Sequence, residues 1–299
     1  MKLRKLFATA AMALCFAGAS AQVSTEDVRI YINPGHGSWG PNNRHMATIG
    51  HSPISSEAPD TTDFFESNTN LHKGLALLER LHQYGVPFDK TKNQTNANPN
   101  RIGAALDLTQ NLVMSRVKSG PFPYSNVKDA DLGYIPDDQN NDFNRRLSEI
   151  AAEVDANDFD MFISIHSNAA SEGNTTNYLY FAWDNKYINS DGSAKNDTGA
   201  AIRDLSIEMA QKGWNQRILD RHTQWSHYDC LVGQGTVKIG QQNLGVLNHT
   251  VPGYLVEGYF HTYQPARHRY MNFDMCRLEG VDYARGVADY YGWAKDNTG

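Results

Sequence analysis

The sequence predicts an α/β fold: a single domain with a twisted, mainly parallel sheet covered by helices on both faces, and with long loop insertions. Three observations carry that prediction. Short apolar runs alternate with segments of helical period, the order expected of strands joined by helical crossovers. One run, Met161-Phe162-Ile163-Ser164-Ile165, is nearly continuous in its apolarity, as suits a parallel strand covered on both faces. Polar residues stand just where three of the runs stop, at the strand ends where ligands gather in open sheets of this class.

The first 21 residues stand apart from the fold. Lys2, Arg4 and Lys5 precede an apolar run from Leu6 to Ala17 and then Ala19-Ser20-Ala21, the pattern of a secretory signal peptide cleaved before Gln22. That run is too short to cross a bilayer as a stable helix. Acylation of Cys15, as in a lipoprotein, is the alternative, and the bulky Leu14 counts against it. Residues 22–299 are the predicted domain, exported to the periplasm or the extracellular space. The polar end Asp296-Asn297-Thr298-Gly299, following a helical pattern, also suits a domain that others follow in a longer protein.

The first strand is VRIYINPGHG, Val28 to Gly37, in which Val28, Ile30 and Ile32 alternate with Arg29, Tyr31 and Asn33 until Pro34-Gly35 stops the run. Residues 38–62, rich in Gly, Pro, Asn and Ser, read as a long loop insertion. A helix follows with Leu71, Leu75, Leu78 and Leu81 on one face and Gly85 at its close. Val86 to Thr91 reads as a short second strand. Residues 93–141 read as a partly helical insertion around the apolar segment Ile102 to Val113.

From Phe143 a firmer helix carries Leu147, Ile150 and Val154 on one stripe and runs into the polar Asp155 to Asp158 before the central strand. Tyr178 to Trp183 is strand-like, Thr198 to about Lys212 is helical with Ile202, Leu205 and Met209 inward, and a mixed region extends to Asn248. Gly253-Tyr254-Leu255-Val256 is the next buried strand. Leu278 to Trp293, with Val281, Ala284 and Ala288 on one face, is the closing helix.

Composition narrows the function classes. The chain carries 27 basic and 33 acidic residues, a net charge of −6, and loss of a leader with three basic and no acidic residues takes it to −9. Such a balance offers no basic footprint for nucleic acid. No later segment has the apolar length of a membrane helix. Two cysteines, Cys230 and Cys276, remain after cleavage, in no close pair, so a zinc–thiolate site is not expected. Whether they form one disulfide in an oxidising compartment is left open by the sequence.

Three strand ends carry the residues of a metal site: His36 after the first strand, His166 after Ile165, and Glu257 after Val256. Parallel neighbouring strands bring such residues to one rim. Glu66 has two readings. Asp63-Phe64-Phe65-Glu66 has the spacing of a capping box, and the same helix start also lies near the His36 rim, where it can deliver a carboxylate to a metal. Two imidazoles and a carboxylate are a common set for catalytic zinc, which keeps a fourth position for water.

NPGHG, ESNTNL after the long loop, NRRLSEIAAEVDANDFDMFISIHSNA and VPGYLVEGYF resemble, in order and over most of the mature chain, the zinc-dependent N-acetylmuramoyl-L-alanine amidases. The resemblance implies His36, Glu66 and His166 as ligands of Zn2+ and Glu257 as the catalytic carboxylate. It implies cleavage of the amide between N-acetylmuramic acid and L-alanine, with peptidoglycan or a muropeptide as substrate. A monomer is expected, with any protein activator unidentified. The chain departs from the family pattern in a longer His36-to-Glu66 spacing, in the 93–141 stretch and in another between Asn168 and Pro252, and one such insertion can act as a lid or plug.

Two other functions fit parts of the pattern. A zinc carboxypeptidase also uses two histidines and a glutamate, and a wall-binding module with a decayed site retains the fold without the reaction. His45, His51, His72, His82, His222, His227, His249 and His268 read as solvated. His261, four residues past Glu257, also reads so, though it is placed to line the cleft. Arg145 and Arg146 read as a solvated helix face. Tyr178, Tyr180, Trp183, Trp214 and Trp225 read as core and sheet edge, with stacking on sugar rings as the alternative.

Overall fold

The structure is a computed structural model that describes residues 22–35, 66–89, 107–115, 147–168, 178–181, 189, 193–219, 236–239, 245–247, 249–260 and 270–293. In chain order the elements are β1 (Ile30–Pro34), α1 (Glu66–Gln83), β2 (Leu112–Met114), α2 (Leu147–Ala156), β3 (Met161–Asn168), β4 (Tyr178–Phe181), α3 (Asp197–Leu219), β5 (Thr236–Ile239), β6 (Gly253–Phe260) and α4 (Phe273–Tyr291). The six strands form one sheet in the order β2-β1-β3-β6-β4-β5. All neighbours run parallel except β4 and β6, which are antiparallel.

Helices cover both faces, as the alternating pattern predicts. On one face Ile30, Ile32, Met161, Ile163, Ile165, Tyr254 and Val256 pack with α1, α3 and α4. On the other, Tyr31, Val113, Phe162 and Leu255 pack against Ile150 and Val154 of α2 and against the 245–247 turn. The double cover explains why β1 is buried along its whole length. The polar half of its alternation does not face water: Tyr31 is buried and donates its hydroxyl to Glu153 at 2.6 Å, and Asn33 is buried in a side-chain network.

Gly85, at φ +102°, ends α1, with its N–H on His82 O at 2.9 Å and Val86 N–H on Leu81 O at 3.2 Å, a left-handed cap that glycine adopts without strain. Helix α4 is capped at its start by the Asn272 side chain, which accepts from Asp274 N–H at 2.9 Å, and at its end by Gly292 at φ +71°. The Trp293 indole then donates to Val23 O at 2.8 Å and pins the two ends of the domain together.

Two sequence expectations are corrected here. Described as far as Asp89, the segment from Val86 is not a strand: Pro87 has no N–H to give a ladder, and Asp89 N–H goes to the Gln110 side chain at 2.7 Å. The edge position beside β1 belongs to β2 instead, inside the stretch read as a partly helical insertion. The mixed region before Asn248 likewise contains β5. No helix among the described residues is long and apolar enough to cross a membrane. The leader with Cys15, the loop 38–62, Asp63, Arg145, Arg146 and Cys230 lie outside the described residues.

Candidate active site

Strands β3 and β6 are parallel neighbours in a register that pairs His166 with Glu257. Along each strand these residues have the parity of Phe162 and Leu255, so both leave the sheet on the α2 face at its carboxyl end. The register shifts just beyond, between His166 and Asn168, where the strand is released from regular pairing.

Helix α1 begins at Glu66, and that carboxylate is buried, 3 % exposed, and turned toward β3. Its Oε1 lies 3.4 Å from His166 Nδ1 and accepts from Ser167 N–H at 2.9 Å. Asn70, one turn along α1, donates its Nδ2 to the same oxygen at 3.3 Å and to Gly35 O at 3.4 Å. The carboxylate is thus bonded to a strand 101 residues away, at the rim.

Strand β1 reaches the site at Gly35. Its N–H donates to Ile165 O at 2.8 Å, and a Cβ placed there would lie 2.1 Å from His166 Cε1, so only glycine lets the chain pass against the imidazole. His36, the next residue, lies outside the described residues, as do His45, His51, His222, His227, His261 and His268. Among the described residues no group of three His, Cys, Asp or Glu side chains is arranged to hold a metal ion.

Glu257 is half-buried, and its Oε2 is shut off from solvent with no hydrogen-bond partner among the described residues. Burial and then the nearby Glu66 charge push its carboxyl well above the usual range, against the pull of Lys73. Two features of this surrounding were not read from the sequence. Asn33 donates to Ser164 Oγ at 2.8 Å and accepts from Ser115 Oγ at 2.7 Å, a buried polar row across β2, β1 and β3. Lys73, fully buried in α1, pairs with Glu279 of α4 at 3.0 Å and stands 4.4 Å and 4.9 Å over the stacked rings of Tyr259 and Tyr270. Lysine in a helix that otherwise reads as leucine-periodic is the one signal that pointed there.

His249 is a further correction. It is fully buried rather than solvated, edge-on to Phe162 with ring centroids 4.5 Å apart, and desolvation lowers its pKa to about 4. His72 stacks on Phe273 at 3.8 Å and is lowered to about 4 by burial and by Arg277. Cys276 is a free, buried thiol whose Sγ donates to Tyr270 O at 3.1 Å.

The architecture has relatives of known structure. Ami1 from Mycobacterium smegmatis, an N-acetylmuramyl-L-alanine amidase, superposes with a TM-score of 0.53 at 15 % identity, covering 90 % of this chain and 99 % of that one. AmiC2 of Nostoc punctiforme, an N-acetylmuramoyl-L-alanine amidase, does so with a TM-score of 0.50 at 16 % identity, over 88 % of this chain and 96 % of that one. The chain has the amidase fold. Cwp6 from Clostridium difficile matches with a TM-score of 0.51 at 20 % identity over 89 % of this chain, which spans 30 % of Cwp6. No protein-family profile and no curated protein matches the sequence.

Proposed function

We propose that residues 22–299 form a zinc-dependent N-acetylmuramoyl-L-alanine amidase domain that hydrolyses the amide between the lactyl group of N-acetylmuramic acid and L-alanine and so releases stem peptides from peptidoglycan. One observation carries this reading. On the carboxyl rim of an amidase fold, Glu66 Oε1 stands 3.4 Å from His166 Nδ1, with Glu257 in register beside that histidine. An imidazole nitrogen and a carboxylate oxygen side by side are donors of the kind that would hold zinc. His36, one residue past the Gly35 contact with His166, completes the proposed ligand set.

A zinc ion held by these residues would supply a water of lowered pKa, near about 7, and would polarise the substrate carbonyl. Glu257 takes the proton of the attacking water as the carbon–oxygen bond forms, then hands it to the departing nitrogen as the carbon–nitrogen bond breaks, which regenerates the carboxylate. Glu66, already held by Ser167 N–H and Asn70, is fixed as a ligand and does no proton transfer. The basic leader with its apolar core supports export, and hence action on the wall from the periplasmic or extracellular side.

The test is mass spectrometry of purified peptidoglycan digested by the zinc-loaded protein. Stem peptides with a free L-alanine amine, beside glycans with free lactyl groups, are expected. Shortened stems still attached to sugar would replace the reading by a carboxypeptidase. Binding to sacculi without zinc and without products would replace it by a binding module.

A further inference from the structure

Asn70 is a polar residue where the fold calls for an apolar one. It is fully buried in α1, directly before Leu71 and within the face that goes on to bury Leu77, Leu78 and Leu81. Its Oδ1 has no hydrogen-bond partner among the described residues, a standing cost that packing alone does not explain. The Nδ2 group is used twice, on Glu66 Oε1 at 3.3 Å and on Gly35 O at 3.4 Å. Only a primary amide on a short stem carries two donors that can diverge in this way.

The two acceptors belong to different arms of the site. Glu66 opens α1 and faces His166 Nδ1, whereas Gly35 directly follows β1, is hydrogen-bonded to Ile165 of β3 and rests against the His166 ring. One amide thus ties the helix that carries a carboxylate to the strand that leads into His36, with His166 between them.

We infer that Asn70 is a positioning residue of the metal centre, which sets Glu66 and the peptide before His36 in mutual register and aims them at one ion. The inference rests on the zinc reading proposed above. Outer partners of this kind are worth about 10–100-fold in metal affinity. Asn70 touches neither the ion nor the substrate in this assignment, so its loss acts on zinc retention first and on turnover through zinc.

The test is zinc affinity of the full mature chain, measured by competition with a chromogenic chelator, together with melting of the zinc-free protein. Asn70→Leu keeps the branched shape and the number of heavy atoms and removes both donors; Asn70→Ala removes volume as well. Both are expected to weaken zinc binding about 10–100-fold, while zinc-free Asn70→Leu melts no lower than the parent. Unchanged zinc affinity in the folded variants, with only a lowered melting temperature, would overturn the inference and leave Asn70 a packing residue. Should neither variant fold, the side-chain amide signals of Asn70 in the isotope-labelled parent decide. Two inequivalent protons that shift on zinc addition support the assignment, and signals indifferent to zinc overturn it. A parent protein that binds no zinc refutes the zinc reading itself, an outcome distinct from a variant that binds zinc as the parent does.

Discussion

Helix α1 serves two charged clusters, and they are built to opposite rules. At its first residue Glu66 faces His166 and lies close to Glu257, at the open carboxyl rim of the sheet. Two turns later Lys73 faces Glu279, where the ammonium is roofed by two stacked tyrosines and Tyr283 donates its hydroxyl to the same carboxylate oxygen. In the second cluster an ammonium meets a carboxylate. The first gathers two carboxylates with one imidazole and leaves Glu257 Oε2 buried without a partner among the described residues. Two carboxylates beside an imidazole at a rim suit a cation site, and an ammonium paired with a carboxylate in the interior suits a structural tie.

The comparison breaks most visibly at Glu257. Glu257→Gln is expected to lower stem-peptide release by about 10²–10⁴-fold with zinc content unchanged, read by product mass spectrometry and metal analysis. Full activity would place Glu257 with the structural group. Replacing His166 by Ala, or His36 by Ala, is expected to cost zinc as well as activity, and chelation of the parent should reproduce both losses until zinc is restored. Zinc retained at full occupancy in either variant would remove that residue from the ligand set.

The closed cluster answers in stability. Lys73→Met takes the ammonium away from the buried Glu279 and is expected to cost about 3–5 kcal/mol in denaturant unfolding, whereas Lys73→Met with Glu279→Leu returns to near the parent value. A double variant no better than the single would show that the pair is more than a balanced tie.

The smallest effect sharpens the rule from a third position. His249 is buried neutral, with its pKa lowered from 6.5 to about 4, so the folded state resists a proton that the unfolded chain accepts. Its contribution is present above pH 6.5 and is lost as pH falls toward 4, at no more than about 1.4 kcal/mol per pH unit. His249→Phe is expected to flatten the acid limb of a stability-against-pH curve, leaving the share of His72, which titrates in the same window. An unchanged limb would mean that His249 is solvated after all.

Much of this was legible in the chain because burial leaves a pattern. Continuous apolarity in Met161 to Ile165 announced a doubly covered strand, and β3 is one. The leucine period announced α1, and Gly85 its end. What stayed hidden was short or edge-placed. Leu112–Met114 is three residues long, too few to show a period, and becomes a strand only because β1 offers it an edge. Val86 onward has strand-like residues, but Pro87 withholds a donor. His249 reads as a surface histidine because its neighbours are polar, and only the packing of the 245–247 turn against β3 buries it.

By itself the sequence determined the alternation of strands and helices, the residue types at three strand ends and their likeness to an amidase motif set. These are local: each depends on a period or a stop signal within a few residues. Only the tertiary structure decided that Glu66 reaches β3, that Asn70 joins two arms of the site, and that Lys73 finds Glu279 206 positions away. Those outcomes depend on strand order and helix crossing, which bring distant residues within hydrogen-bond reach. No short window of sequence contains Glu66 with Ser167, or Lys73 with Glu279.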